Sequence, residues 1–426
     1  MNKPKLLIQN TRAIVRPSDG TYTEIDANIA IENGVILSME GAPDGFAPDR
    51  VIDGEGKLCI PGLVNSHTHL YMSLFRNAAD DVAFDEWLFR RILPKEETLT
   101  PEDAYWGTLL SCMELLRTGT TSFCDMHMFP GIPARAARKA GLRAVVSRGL
   151  TGSDGGERRI AEALSEWEEW KHDPLVTCML APHAIYTCDE PFLRRVAALS
   201  EETGLPIHTH LAESIKESVD CYREHGCSPA EYLDRVGILE RKTLAAHCVQ
   251  LSEADIRLLA ERGVSVAHNP KSNLKLANGV APVHRMLEQG VNVCLGTDGP
   301  GSNNAQNLFS EMNFACLLPK GMEHDGAVVS AEQVFAMATE NGARALSLDR
   351  VGRLEAGWQA DIVLLDLRRP TFCPPGRNLR ALCYSASGNE VDTVLVGGEI
   401  VLDHGTFVHI DEEEVYYNVA KITKDW

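Results

Sequence analysis

Nowhere does the chain hold an uninterrupted apolar run of about 18 residues, the length a helix needs to span a bilayer. The first ten residues carry too short an apolar stretch for a secretory signal. Basic residues are few, 41 against 60 acidic, and the net charge of −19 disfavours a nucleic-acid backbone or an anionic membrane as partner. None of the 12 cysteines forms a Cys-x-x-Cys pair. Scattered thiols in a chain this size read as reduced and mostly buried, so the cytoplasm is the expected compartment. Low-complexity tracts are also missing.

What is present is an ordinary globular composition, 44% hydrophobic and 24% charged. The length of 426 residues suits an α/β barrel of ~250 residues with an accessory domain. Short β segments with turn signals occupy both ends: Lys5–Asn10, Arg12–Val15, Glu24–Glu32, Val35–Glu40 and Arg50–Asp53, then Ala360–Leu367, Thr393–Val396, Glu399–Leu402 and Phe407–Ile410. Gly397-Gly398 separates two of these as a hairpin turn. A small β-sandwich built from both termini is expected, with residues 1–57 and 349–426 as its halves.

The middle alternates apolar runs with longer amphipathic segments. Thr121–Met126 precedes Ile132–Ala140, and Pro206–His210 precedes a helical stretch over Ser214–Arg235. Counting the apolar stretch Leu58–His69 and the helix Pro101–Arg117, eight such units fill residues 58–348. Eight alternating units predict a closed (β/α)8 TIM-type barrel, whose functional residues sit at the C-terminal ends of the strands. His67/His69, Arg148, His183, His210/Glu213, His247 and Asp298 all fall at such ends.

Alternate residues of a strand point the same way, so His67 and His69 project side by side. A lone pair of this kind is more often satisfied by backbone. With His210 and Asp298 on other strands, three imidazoles and one carboxylate become a ligand set for one divalent metal, zinc foremost and Fe2+ as the alternative. Glu213, three residues after His210, is placed as general acid/base, or equally as a carboxylate favoured by a helix N-terminus. His247 is open between ligating the metal, donating to the attacking hydroxide, and simple burial. Lys271 reads as a loop residue, His268 as stabilising the Asn269-Pro270 loop that it precedes, and His127, His172, His225, His284, His324, His404 and His409 as surface or packing groups.

A set of motifs then adds specificity: Pro61-Gly62-Leu63-Val64-Asn65-Ser66-His67-Thr68-His69, Leu74–Asp81, Ala181-Pro182-His183, His210-Leu211-Ala212-Glu213, His268–Leu276, and Gly296-Thr297-Asp298-Gly299 running into Ser302-Asn303-Asn304. In this order they resemble the amidohydrolase superfamily, and within it the 5-methylthioadenosine/S-adenosylhomocysteine deaminase group, over most of the chain. The resemblance implies metal ligands His67, His69, His210 and Asp298, one metal rather than two, Glu213 as acid/base, and His247 orienting the water. Asp298 is implied to help the second proton to the leaving amine. Glu96 matches the position that binds ribose hydroxyls, and Arg148 and His183 match substrate-contacting positions. An arginine after Asp154-Gly155-Gly156, Arg159 by spacing rather than Arg158, matches one holding the amino-acid end of a longer substrate. Leu93 departs from relatives that carry tryptophan there. The implied reaction turns the adenine of 5′-modified adenosines (S-adenosylhomocysteine, 5-methylthioadenosine, 5′-deoxyadenosine, adenosine) into hypoxanthine and releases ammonia. A possible homo-oligomer is a family-level expectation. The alternative is a superfamily relative acting on a free base or triazine, such as guanine, 8-oxoguanine or cytosine.

Overall fold

The computed structural model describes residues 3–17, 20–82, 86–152, 155–424 and 426. Asp154, part of the motif before Arg159, lies outside them. Eight strand positions run in parallel: Leu63–Thr68, Thr120–His127, Arg143–Leu150, Val176–Cys178 continuing at Ala181–Pro182, Ile207–Leu211, Thr243–His247, Ser265–His268 and Asn292–Leu295. A parallel bridge between Leu180 and Ile207 joins the fourth to the fifth. The N–H groups of Thr297 and Asp298 donate to the His67 carbonyl at 3.2 and 2.9 Å and join the last strand to the first. These strands are buried on both faces and mix apolar and small residues with buried polar ones such as His67, Asp125, Arg148 and His210, which gather toward their C-terminal ends.

Inside the barrel Val64, Cys124, Val145, Met179, Leu244, Ala267 and Cys294 form a floor, with one residue from every strand but the fifth. The fifth strand supplies His208 instead, whose Nδ1 lies 3.5 Å from the Cys124 thiol. The barrel's apolar exterior and the surrounding helices share one large core, and a second cluster of Leu6, Ile8, Ile29, Ile31, Ile362 and Leu364 fills the terminal sheet. That sheet has nine strands and takes them from both ends of the chain. Lys57–Pro61 pairs antiparallel with Ile362–Asp366 at its centre.

Several local expectations shift. The stretch Leu58–His69 is two strands, Lys57–Pro61 in the terminal sheet and Leu63–Thr68 in the barrel. Gly62 makes the step between them, because a Cβ there would lie 2.1 Å from the Thr121 hydroxyl. Lys5–Asn10 and Arg12–Val15 are one strand, Leu6–Val15, with a register shift near Asn10, whose φ is 58°. The helix over 214–235 divides into Ile215–His225 and Pro229–Arg235. Left-handed Gly226 ends the first, and Ser228 with Glu231 caps the second in a capping box with proline at its first position. Lys271, expected in a loop, lies on the short helix Pro270–Lys275 and donates its N–H to Glu311. No helix among the described residues is long and apolar enough to cross a membrane.

Candidate active site

The strand ends converge on one cavity of about 680 Å³. His67, His69 and Asp298 bring ligand atoms within 4.8 Å of one another, as do His67, His210 and His247. The Nε2 atoms of His67 and His69 each lie 3.4 Å from the same Asp298 oxygen, and His69 Nε2 is 3.3 Å from His210 Nε2. The other ring nitrogens fix the proton positions. His69 Nδ1 faces the Met126 carbonyl at 2.7 Å and His210 Nδ1 the His183 carbonyl at 2.8 Å. Only a protonated Nδ1 can bond a carbonyl, so in the neutral rings, the form that binds metal, both Nε2 atoms present bare lone pairs to each other.

Two lone pairs at hydrogen-bond distance with no proton between them repel unless a cation lies there. His67 Nε2 is buried and without a hydrogen-bond partner, and points into the same space. The donor set therefore fits a divalent ion, and the carbonyls behind it have the outer-layer role that orients ligating histidines. His67 Nδ1 meets His208 Nε2 at 2.9 Å. Burial pushes His67 down to about 4, against the pull of Asp298, and pushes His210 well below the ordinary histidine value. Burial alone would raise the Asp298 carboxyl, but the His67 contact and the surrounding imidazoles hold it well below its usual range. Its second oxygen accepts hydroxyls from Ser272 and Ser302 at 2.6 and 2.7 Å.

Glu213 follows the fifth strand and precedes Ser214, whose hydroxyl caps the helix Ile215–His225. Its carboxylate lines the cavity and accepts from Asn278 at 3.0 Å. Burial, and then the nearby Asp298 charge, raise its pKa, while His247 opposes the shift. His247 Nδ1 lies 2.8 Å from Asn273 Oδ1, which leaves its Nε2 directed to the cluster. Burial works against charge on His247, yet Glu213 and Asp298 beside it raise its pKa overall.

The remaining expected residues line the same cavity: Glu96, Arg148, Arg159 and His183. Glu96 accepts the Tyr71 hydroxyl at 2.6 Å. Arg148 is tied to Glu162 at 2.8 Å, and His183 Nδ1 lies 3.1 Å from the Thr187 hydroxyl. Arg159 lines the cavity, whereas Arg158 does not and pairs with Glu162. Leu93 is on the cavity wall.

Sequence reasoning left out Tyr71, His127, His208 and Glu217. His127, expected as a surface or packing residue, is a buried packing residue at the end of the second strand, edge-on to Tyr71, and it also lies on the cavity wall. The strand-end rule that selected His67 would have found it. His208 sits in a second His-x-His, His208-Thr209-His210, which was a legible signal. Glu217 stood in a capping-box signature, Ser214-Ile215-Lys216-Glu217, that marked a helix start but not its hold on the Glu213 backbone, and nothing in the sequence marked Tyr71.

Residues 58–401 match the family model described as the amidohydrolase family. The chain belongs to the amidohydrolase family. A 5-methylthioadenosine/S-adenosylhomocysteine deaminase from Thermoanaerobacter pseudethanolicus is 41% identical, with 99% of each chain covered. One of the same description from Desulforudis audaxviator is 45% identical, with 96% of each covered. Among solved structures, an adenosine deaminase from Xanthomonas campestris with bound zinc superposes with a TM-score of 0.94 at 34% identity, covering 99% of this chain and 98% of its own. As in other amidohydrolases, the metal-fitting cluster of this family member sits on a TIM-type barrel.

Proposed function

We propose that this amidohydrolase is a hydrolytic deaminase that converts the adenine of 5′-modified adenosines to hypoxanthine and releases ammonia. One observation carries the reading: a buried carboxylate suited to proton transfer, Glu213, and a second suited to a vicinal diol, Glu96, face the same cavity as the His/Asp cluster. A free base has no diol to meet Glu96. The relatives named as 5-methylthioadenosine/S-adenosylhomocysteine deaminases, similar along the whole chain, support the same substrate class.

His67, His69, His210 and Asp298 would hold the metal. Three nitrogens and one oxygen favour zinc, with Fe2+ the alternative at the same donors. When bound, the ion supplies Lewis-acid activation of the attacking water. Glu213 takes a proton from that water and delivers it to a purine ring nitrogen, and the burial that raises its pKa favours its taking up that proton. His247 orients the water through its Nε2, and Asp298 passes the second proton to the departing amine. Glu96 anchors the ribose, while Arg148, His183 and Arg159 line the side where the rest of the nucleoside lies. The terminal sheet is read as a small β-sandwich formed by residues 1–57 and 349–426 around a catalytic barrel of 58–348; strands from both chain ends in that sheet support the reading, although its strand Lys57–Pro61 runs past the first of these bounds.

Ammonia release by zinc-loaded protein tests this with adenosine, 5′-deoxyadenosine, methylthioadenosine and S-adenosylhomocysteine beside guanine and cytosine. Turnover of a 5′-modified adenosine with inert bases is the expected result. Activity on a base alone overturns the nucleoside assignment.

A further inference from the structure

A second buried carboxylate grips the turn that carries Glu213. Glu217 is only 4% exposed, and its two oxygens accept consecutive backbone N–H groups, Ala212 at 3.0 Å and Glu213 at 2.8 Å. As the third residue of the helix capped by Ser214, it would ordinarily reach back to the cap's own N–H in a capping box. Here it passes Ser214 and engages the two residues before it. Those N–H groups point the same way because Ala212 adopts a left-handed φ of 49°, a backbone conformation that a non-glycine residue keeps only where its surroundings hold it. Successive N–H groups in such a bend form a concave nest for an anion, and the Glu217 carboxylate fills it. The same turn is held from its other side, where the Ala212 carbonyl accepts from Val249 at 3.0 Å and Gln250 at 2.9 Å, just past His247.

We propose that Glu217 is the positioning residue for Glu213: its bidentate hold on the Ala212–Glu213 backbone keeps the Glu213 carboxylate aimed at the metal cluster. The proposal rests on the reading of Glu213 as acid/base, and Glu217 itself touches no reacting atom. The Glu213 side chain is thus fixed at both ends, its backbone by Glu217 and its carboxylate by Asn278. Proton transfer depends on that aim, whereas substrate binding through Glu96 on another segment does not.

The test is steady-state kinetics of Glu217→Gln and Glu217→Asp, with bound zinc and folded fraction measured at the assay temperature. Glutamine offers one oxygen, so its NH2 must face one of two N–H donors. Aspartate keeps the charge but is one methylene too short to span both. Displacement of a catalytic group by about 1 Å lowers turnover on the order of 100-fold, so kcat falls by that factor in both variants while KM and zinc content hold. Unchanged kcat in both variants overturns the proposal, as does a fall in kcat that only follows lost zinc or lost folded protein. If Glu217→Gln does not fold, Glu217→Asp decides by the same criteria. Glu213→Gln separates the two claims. If it retains turnover, the acid/base reading fails; if it alone is inactive, only the positioning inference fails.

Discussion

Removing one oxygen from Tyr71 should weaken ribose binding and leave the chemistry untouched. The Tyr71 hydroxyl donates to Glu96 at 2.6 Å, in a setting where Tyr71 is only 5% exposed. Phenylalanine preserves the ring and its edge-on contact with His127, with centroids 4.8 Å apart. A hydrogen bond to a charged group contributes about 1.5–3 kcal/mol, and each 1.4 kcal/mol is a factor of ten, so KM for ribonucleosides should rise on the order of 10- to 100-fold. Burial already raises the Glu96 pKa, while the Tyr71 hydrogen bond and then His69 hold it down. Losing Tyr71 destabilises the anion, so the pKa rises further. Glu96 then protonates earlier as pH falls, and the acid limb of kcat/KM moves to higher pH. Steady-state assays of Tyr71→Phe across pH should show higher KM, unchanged kcat and the shifted limb. With 2′,3′-dideoxyadenosine, which has no diol, variant and wild type should match. An unchanged KM on ribonucleosides would refute the reasoning, and so would an equal loss on the dideoxy substrate.

Glu213→Gln should lower kcat on the order of 100- to 10,000-fold with metal content intact, checked by kinetics and metal analysis. Chelation should abolish turnover and lower the thermal midpoint, with zinc restoring both, because the His69 and His210 lone pairs then face each other uncompensated; full activity after complete chelation would contradict the site. His268 is buried with neither ring nitrogen hydrogen-bonded and is pushed down by burial to about 3. Its unfolded value is ~6.5, so the unfolded chain binds the proton first and stability is lost as pH falls from there toward 3. At pH ~4.5 that loss is about 3 kcal/mol, so the urea midpoint of His268→Leu should gain on wild type as pH drops; a gap constant with pH would count against it.

Legibility followed the range of the interactions. Period and length set the barrel, because each strand is a short apolar run and each helix an amphipathic one, as Ile132–Ala140 shows by matching its expected bounds. The eight-fold alternation then put His67, His69, His210, His247 and Asp298 at one rim. What stayed hidden depends on contacts far apart in sequence. Gly62 splits a strand because of Thr121, and the centre of the terminal sheet pairs Lys57–Pro61 with residues some 300 positions away. Tyr71 matters through Glu96, on a different segment, and Glu217 through a backbone bend that no residue type announced. Arg158 and Arg159 are adjacent, and only the fold decides which one faces the cavity.

The rim of the barrel concentrates backbone strain at the points where chemistry is needed. Ala212, His247, Cys248 and Asp298 all have left-handed φ, between 49° and 73°, at the ends of the fifth, sixth and eighth strands. Each such residue costs on the order of 1–3 kcal/mol and persists only where its surroundings over-determine it. Those surroundings are visible. Ala212 is held by Glu217 and Val249, His247 by Asn273, Cys248 by the Leu211 carbonyl, and Asp298 by the His67 carbonyl and two serine hydroxyls. A regular strand end would carry its last side chain on alternating sides, away from a common point. Glu213, His247 and Asp298, at or beside these left-handed residues, instead line one cavity, and the buried polar groups behind them hold the turns in place. Precision in this site therefore comes from the layer behind the ligands as much as from the ligands, and substitutions in that layer should act on turnover before they act on binding.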